Sequence, residues 1–174
     1  MVKRRKAPNA AFDPPSPDQR WLLRKDTLLD GVLADADGAA ASECIIRNIH
    51  VLGASLSLER TLSISAQVVL LDTGNEAAHV ARVIWSSADR AGLSFIRSYA
   101  MGSGLPHRMR FVWRLLFEAK LRQVERAVAA GISRESAVST IGLTKQYMRQ
   151  MAPHAASDEQ FQCLLLSAER LLDD

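Results

Sequence analysis

CIIRNIHVLGASLSL, residues 44–58, climbs through an apolar run, breaks at Asn48-x-His50-x-x-Gly53, and resumes with Ala54, Leu56 and Leu58 alternating against Ser55 and Ser57. Period-two alternation with β-branched residues is the pattern of half-buried strands, and the break between them reads as a tight turn. HVARVIWSSADRAGLSFI, residues 79–96, repeats the arrangement. Val80, Arg82 and Ile84 alternate with Ala81, Val83 and Trp85, the chain turns at SSADRAG, and it returns through Leu93, Phe95 and Ile96. Short strands in paired hairpins of this kind predict a small barrel or sandwich.

Outward from these hairpins, strand patterns occupy 27–34, 42–48, 54–59, 67–71, 77–86 and 91–97. Turn compositions separate them: Asp35-Ala-Asp37-Gly38, Asp72-Thr-Gly74-Asn75 and Asp89-Arg90-Ala-Gly92. Trp85 reads as wall or core of the barrel. His79, His107 and the Asp89-Arg90 pair read as exposed turn residues. After Pro106 the period changes. Val112, Leu115, Leu116, Ala119, Val124 and Val128 recur at three- and four-residue intervals, an amphipathic helix over 108–130 stopped by Gly131. Ser133 and Thr144 are helix-capping types, and Ser157-Asp-Glu-Gln160 is a capping box opening a last helix at 161–172. The expected fold class is α+β, six short strands in a small barrel or sandwich followed by a C-terminal helical segment, and the six-stranded barrel is what the family resemblance given below implies. Residues 1–17 are a basic, Pro-rich N-terminus expected to be disordered, 18–100 form the barrel and 107–174 the helical extension.

Of 174 residues, 48% are apolar and 24% charged, ordinary for a globular chain with a packed core. No apolar run reaches the roughly 18–20 residues of a membrane span, so a cytoplasmic chain without membrane contact is expected. Cys44 and Cys163 stand far apart with no zinc-ligand spacing, and both are expected as thiols. The net +3 is segmented. Residues 1–25 hold seven basic against two acidic groups, 26–106 five against nine, 107–151 nine against three, and 152–174 one against five. Basic flanks around an acidic barrel argue against the barrel as a nucleic-acid surface. No nucleophile–base pair, paired carboxylates, phosphate loop or metal-ligand spacing stands out, so neither an enzyme nor a metal or cofactor is expected.

Arg20-Trp-Leu-Leu-Arg24 precedes the first strand and Asn48-Ile-His50-Val-Leu-Gly53 lies on the next strand pair. With the ARVIW and GLSF strands, these residues resemble the PilZ domain, the bacterial β-barrel receptor for cyclic di-GMP. The resemblance covers about residues 20–97. In that family an R-x-x-x-R pair holds phosphates and stacks on guanines, and a [D/N]-x-S-x-x-G motif binds a guanine edge. It implies a non-enzymatic signalling module that binds cyclic di-GMP through Arg20, Arg24, Asn48, His50 and Gly53. Planar guanidiniums suit such a ligand, pairing with phosphate and stacking on purines. His50 stands where the family has Ser. A second register is open, in which Leu22 and Leu23 lead into the barrel, Arg20 is the second arginine, and Ser16 takes the place of the first.

The tail carries a signal of its own. Residues 137–149, AVSTIGLTKQYMR, resemble the core of a helix-turn-helix, with Gly142 at the turn and Lys145, Gln146 and Arg149 on the second helix. Such residues contact phosphates and base edges. Three readings are carried forward: a cyclic di-GMP receptor acting through protein contacts, a PilZ-like scaffold without nucleotide binding, and a DNA-binding regulator acting through 133–151. The apolar spacing of Leu164, Leu165, Ala168, Leu171 and Leu172 suits packing on the barrel, a protein partner, or self-association.

Overall fold

The computed structural model describes residues 25–58, 66–101 and 105–131, together with the single positions Ser139, Gly142, Gln146, Arg149 and Leu166. Six antiparallel strands, β1 (Lys25–Asp35), β2 (Ala41–His50), β3 (Gly53–Leu58), β4 (Gln67–Asp72), β5 (Ala77–Ser86) and β6 (Arg90–Ala100), close in the order β1-β2-β3-β6-β5-β4. A single 3-10 turn at His107–Met109 leads into α1 (Phe111–Ala129). Every strand expected from alternation is present and the class is α+β. Arg20 and Arg24 ahead of the first strand, the N-terminal segment, Lys145 and the capping positions at 133, 144 and 157 lie outside the described residues.

Two cores share the barrel wall. Leu33, Cys44, Ile46, Leu56, Val68, Leu70, Ala81 and Leu93 fill the interior. Val32, Ala34, Val69, Leu71, Ala78 and Val80 point outward into a second core with Val112, Leu115, Leu116 and Ala119 of α1. Strand β4 belongs to both: Val68 and Leu70 face in, Val69 and Leu71 face the helix, and none is more than 2% exposed. A strand buried on both faces loses the polar half of its alternation, which explains the unbroken apolar run VVLL. Cys44 is a buried thiol in the interior.

Side-chain hydrogen bonds and ion pairs fasten α1 to β1 and β2. Arg122 and Arg126 both engage the Glu43 carboxylate, and Gln123 Nε2 donates to Asp30 Oδ2 at 3.0 Å. Arg114 donates to the Gly38 carbonyl at 3.3 Å, and Lys120 stands 4.0 Å from Glu76. The β4–β5 turn is built by Asp72, whose carboxylate accepts the backbone N–H groups of Gly74 and Asn75. Thr73 Oγ1 donates to the Asp30 carbonyl at 2.7 Å and ties that turn to β1.

Trp113, Phe117 and Leu121 are buried as well, so α1 is apolar over a wider arc than the expected single stripe. Val128, expected on the buried stripe, is instead 45% exposed, because it lies in the helix's last turn.

Gly38 in the β1–β2 turn has φ 75°, and a Cβ there would run into the ring of Phe111. Gly131 ends α1 at φ 91° with no neighbour within 4 Å. Both positions use the left-handed region that only glycine enters freely. Gly38→Ala is therefore expected to lower stability by about 2–4 kcal/mol and Gly131→Ala by about 1 kcal/mol, since only the first adds a steric clash to the backbone strain. Urea denaturation of the two variants checks the order. Equal losses would mean that Phe111 does not press on the turn.

Candidate functional site

Helix α1 covers the outside of β1, β4 and β5, the start of β2 at Glu43 and the end of β6 at Tyr99, so among the described residues the outer surface of the rest of β2, of β3 and of the first half of β6 is left open. Its residues follow from register. Ile46 lies opposite Leu56 and Ile49 opposite Ala54, all four in the interior core or packed against it. A bulge between Ile46 and Asn48 inserts Arg47, which turns outward and donates from Nε to Ser57 Oγ at 2.9 Å. Asn48 pairs with Ser55, and His50 with Gly53, on that same outer surface. Gly53, Ser55 and Ser57 then meet Ser94, Gly92 and Arg90 of β6. Beyond them lie Arg82, opposite Ser94, and Trp85, opposite Gly92.

The result is a shallow floor of glycines and serines between two polar rims. Arg47, Asn48 and His50 form one rim; Arg82 and Trp85 form the other. Trp85 is 49% exposed and its indole lies over Gly92. It belongs to the outside of the barrel and not to its wall or core, because the β5 bulge between Val83 and Trp85 shifts the facing of the strand. A floor without long side chains admits a flat molecule, and an exposed indole offers it a stacking face.

Two of the three motif residues on the β2–β3 hairpin, His50 and Gly53, also serve the hairpin itself. The His50 ring accepts the Leu52 N–H on Nδ1 at a long 3.4 Å, the turn-closing bond that Asn or Ser side chains commonly make. Gly53 sits where any Cβ would collide with the Leu93 carbonyl of β6, so glycine is needed for the two strands to approach. Val51 and Leu52 at the tip are 79% and 70% exposed.

Arg20 and Arg24 lie outside the described residues, but where the chain enters is fixed. Lys25 pairs with Ile49 and Asp26 with Asn48, so β1 begins beside the Asn48–His50 rim.

The charge is divided between the two sides of the barrel. Glu43, Asp30 and Glu76 meet α1 or its basic side chains, whereas the open face carries Arg47, Arg82 and Arg90. Arg90 is loosely matched by Asp89 at 3.9 Å, and both are well exposed, as expected for a solvated turn. The acidic total read from the sequence thus conceals a basic open face. His107 is exposed as expected.

His79 is not an exposed turn residue. It lies within β5, 8% exposed, because the alternation of the strand turns it inward with Ala81 and Val83, between outward-facing Ala78 and Val80. Its ring stacks on Phe95 with centroids 4.2 Å apart and 9° between planes, and Nδ1 stands 2.7 Å from Ser98 Oγ. Nε2 has no hydrogen-bond partner among the described residues.

In the tail, Gly142 is helical and not at a turn, which removes the turn from the expected helix-turn-helix at that position. Ser139, Gly142, Gln146 and Arg149 are each helical and exposed. Gln146 and Arg149 thus meet solvent. Among the described residues no cluster of three or more His, Cys, Asp or Glu could hold a metal ion. No helix among them is long and apolar enough to cross a membrane. The cleft lined by Asp30, Glu43, Thr73, Gln123 and Arg126 between barrel and α1 holds about 20 Å³, room for a water and not for a nucleotide. No family model matches the chain, and no curated protein matches it.

Burial lowers the His79 pKa below its ordinary 6.5, with the Asp72 carboxylate pulling it partly back. The unfolded chain therefore takes up this proton first as pH falls. The His79 contribution to stability is complete above about pH 6.5 and is lost as pH drops towards the lower folded pKa. Denaturation midpoints are expected to fall between pH 7.5 and pH 5, and to fall less in His79→Phe, which keeps the stack on Phe95. An identical pH profile in the variant would remove His79 as the cause.

Proposed function

We propose that this chain is a non-enzymatic signalling module of the PilZ kind that takes cyclic di-GMP on the open face of the barrel. The reading rests on residues and geometry. Asn48, His50 and Gly53 share the outer face of one hairpin, as a guanine-edge site requires. The observation that supports it is the pairing of Lys25 with Ile49, by which β1 begins beside that same rim, directly after Arg24 in the sequence. Guanidiniums entering there would meet phosphates over the serine and glycine floor, with Arg47 and Arg82 adding positive potential. Trp85 stands where a guanine could stack. Ligand would order the N-terminal arginines against the barrel and present a changed surface to a protein partner, a bacterial cytoplasmic signalling role.

Isothermal titration of the full chain tests this. Heat with Kd in the micromolar range or tighter is expected, and Arg24→Ala should weaken binding by roughly 10- to 100-fold, the loss of one to two charge-assisted bonds. Quenching of the indole emission should accompany binding and shrink in Trp85→Phe. A folded chain that gives no heat at about 100 μM ligand, a concentration that already excludes signalling-grade affinity, would sink the receptor reading.

One observation favours a second reading. His50 and Gly53 are both engaged in holding the β2–β3 hairpin, so the motif would persist in a scaffold that binds no nucleotide. In that case Arg20→Ala and Arg24→Ala leave cellular function intact, whereas Arg82→Glu or Trp85→Ala on the open face abolishes it. The third reading, DNA contact through Lys145, Gln146 and Arg149, keeps an exposed Gln146 and Arg149 but lacks its turn at Gly142. It requires salt-dependent duplex binding that Arg149→Ala weakens.

A further inference from the structure

Register divides the open face into rungs across β2, β3 and β6. His50, Gly53 and Ser94 make the rung nearest the start of β1, and Asn48, Ser55 and Gly92 make the next. In the third, Ser57 lies opposite Arg90, and Arg47 reaches it from the β2 bulge. The family motif falls on the first two rungs. The third carries side chains that neither core uses: Arg47 and Arg90 are exposed, and Ser57 is half-buried on the outer side of β3.

What this rung offers is donors. Arg47 Nε donates to Ser57 Oγ at 2.9 Å, which holds the guanidinium against β3 and fills a lone pair of the hydroxyl. Among the described residues the terminal nitrogens of Arg47 meet no acceptor, and nothing accepts the Ser57 proton. Arg90 approaches Ser57 from the other side. Its neighbouring carboxylate, Asp89, stands at a loose 3.9 Å and is shared with Ser87 Oγ at 3.4 Å. Asp30 lies two strands over, opposite Ile45, and accepts Gln123 instead. Two guanidiniums and a hydroxyl around one point call for a ligand with several acceptor oxygens, which a phosphate supplies in the fork geometry that guanidinium prefers. Two residues further along β6, Gly92 is buried beneath the Trp85 indole. Same-face neighbours on a strand are about 7 Å apart, the reach of a ribose between phosphate and base.

We infer that Arg47, Ser57 and Arg90 form a phosphate subsite for a purine nucleotide whose base lies against Trp85. Arg47 and Arg90 bind the phosphate, while Ser57 positions Arg47 and donates its own proton. The inference rests on the open face taking a nucleotide, but it uses no residue before Lys25. It places a phosphate at the far end of the floor from the start of β1.

Magnetic resonance titration of the isotope-labelled full chain with guanosine monophosphate (GMP), and with guanosine as the phosphate-free control, tests it. GMP should shift the Arg47 and Arg90 side-chain N–H signals and the Ser57 amide together with the Trp85 indole, with Kd in the millimolar range. Guanosine should move the indole alone. Arg47→Ala and Arg90→Ala should each weaken GMP roughly 10-fold, the loss of about one charge-assisted hydrogen bond, while Val68 and Leu70 methyl shifts report an intact barrel. Ser57→Ala should cost roughly threefold, and Ser57→Thr, which keeps the hydroxyl, should restore affinity. The inference is overturned if GMP at about 20 mM moves none of these signals, or if guanosine moves Arg47 and Arg90 as GMP does. Cyclic di-GMP titrated in parallel separates the two claims. Binding that the Arg47→Ala, Arg90→Ala double variant leaves unchanged overturns the subsite and spares the receptor reading. GMP on this rung with no cyclic di-GMP binding supports the subsite and removes the receptor reading.

Discussion

The double burial of Val68, Val69, Leu70 and Leu71 organises this protein. A six-stranded barrel of this size can hide one face of each strand inside itself, but β4 and its neighbour β1 are apolar on both. Burying a Val or Leu side chain is worth about 1.5–3 kcal/mol, so Val32, Ala34, Val69 and Leu71 demand a cover. Helix α1 supplies it. Where the helix lies then decides which part of the barrel remains open, and that part is the surface of β2, β3 and β6.

Electrostatics follows the same division. Glu43 begins β2 under α1 and holds Arg122 and Arg126, while the other end of the same strand carries Arg47, Asn48 and His50 outward. Exposed ion pairs contribute little individually, but two arginines on one half-buried carboxylate fix the rotation of α1 about its axis. The acidic groups are thereby matched by the helix, and the open face is left basic. A surface of glycines and serines with arginine at its edges has room and positive potential for an anionic, flat molecule, and Trp85 adds a large exposed stacking face.

The interior has a polar exception in His79. Its Nδ1 meets Ser98, its ring covers Phe95, and Nε2 has no partner among the described residues. A neutral ring is tolerated there because stacking supplies the contacts that a leucine would, whereas a charged ring would have to be desolvated. The site therefore links barrel stability to pH without touching the open face.

Alternation in CIIRNIHVLGASLSL and HVARVIWSSADRAGLSFI settled that these segments are paired strands, since period two is a local property written into side-chain order. The six strands, the α+β class and the helix after Pro106 were all legible for that reason, as was the pairing of Asn48 and His50 with one hairpin. Facing was not. Trp85 faces out because a bulge between Val83 and Trp85 resets the alternation of β5, and a bulge leaves no mark in composition. His79 faces in by the strand's plain alternation with Ala81 and Val83, and what its reading as a turn residue missed was that β5 runs through it. Val128 and the second apolar side of α1 likewise depended on what packs around the helix. The basic open face was hidden in an acidic sum, because charge counted along the chain says nothing about which side of a barrel carries it. Sequence determines which residues alternate; only closure of the barrel and the docking of α1 decide which of them meet water.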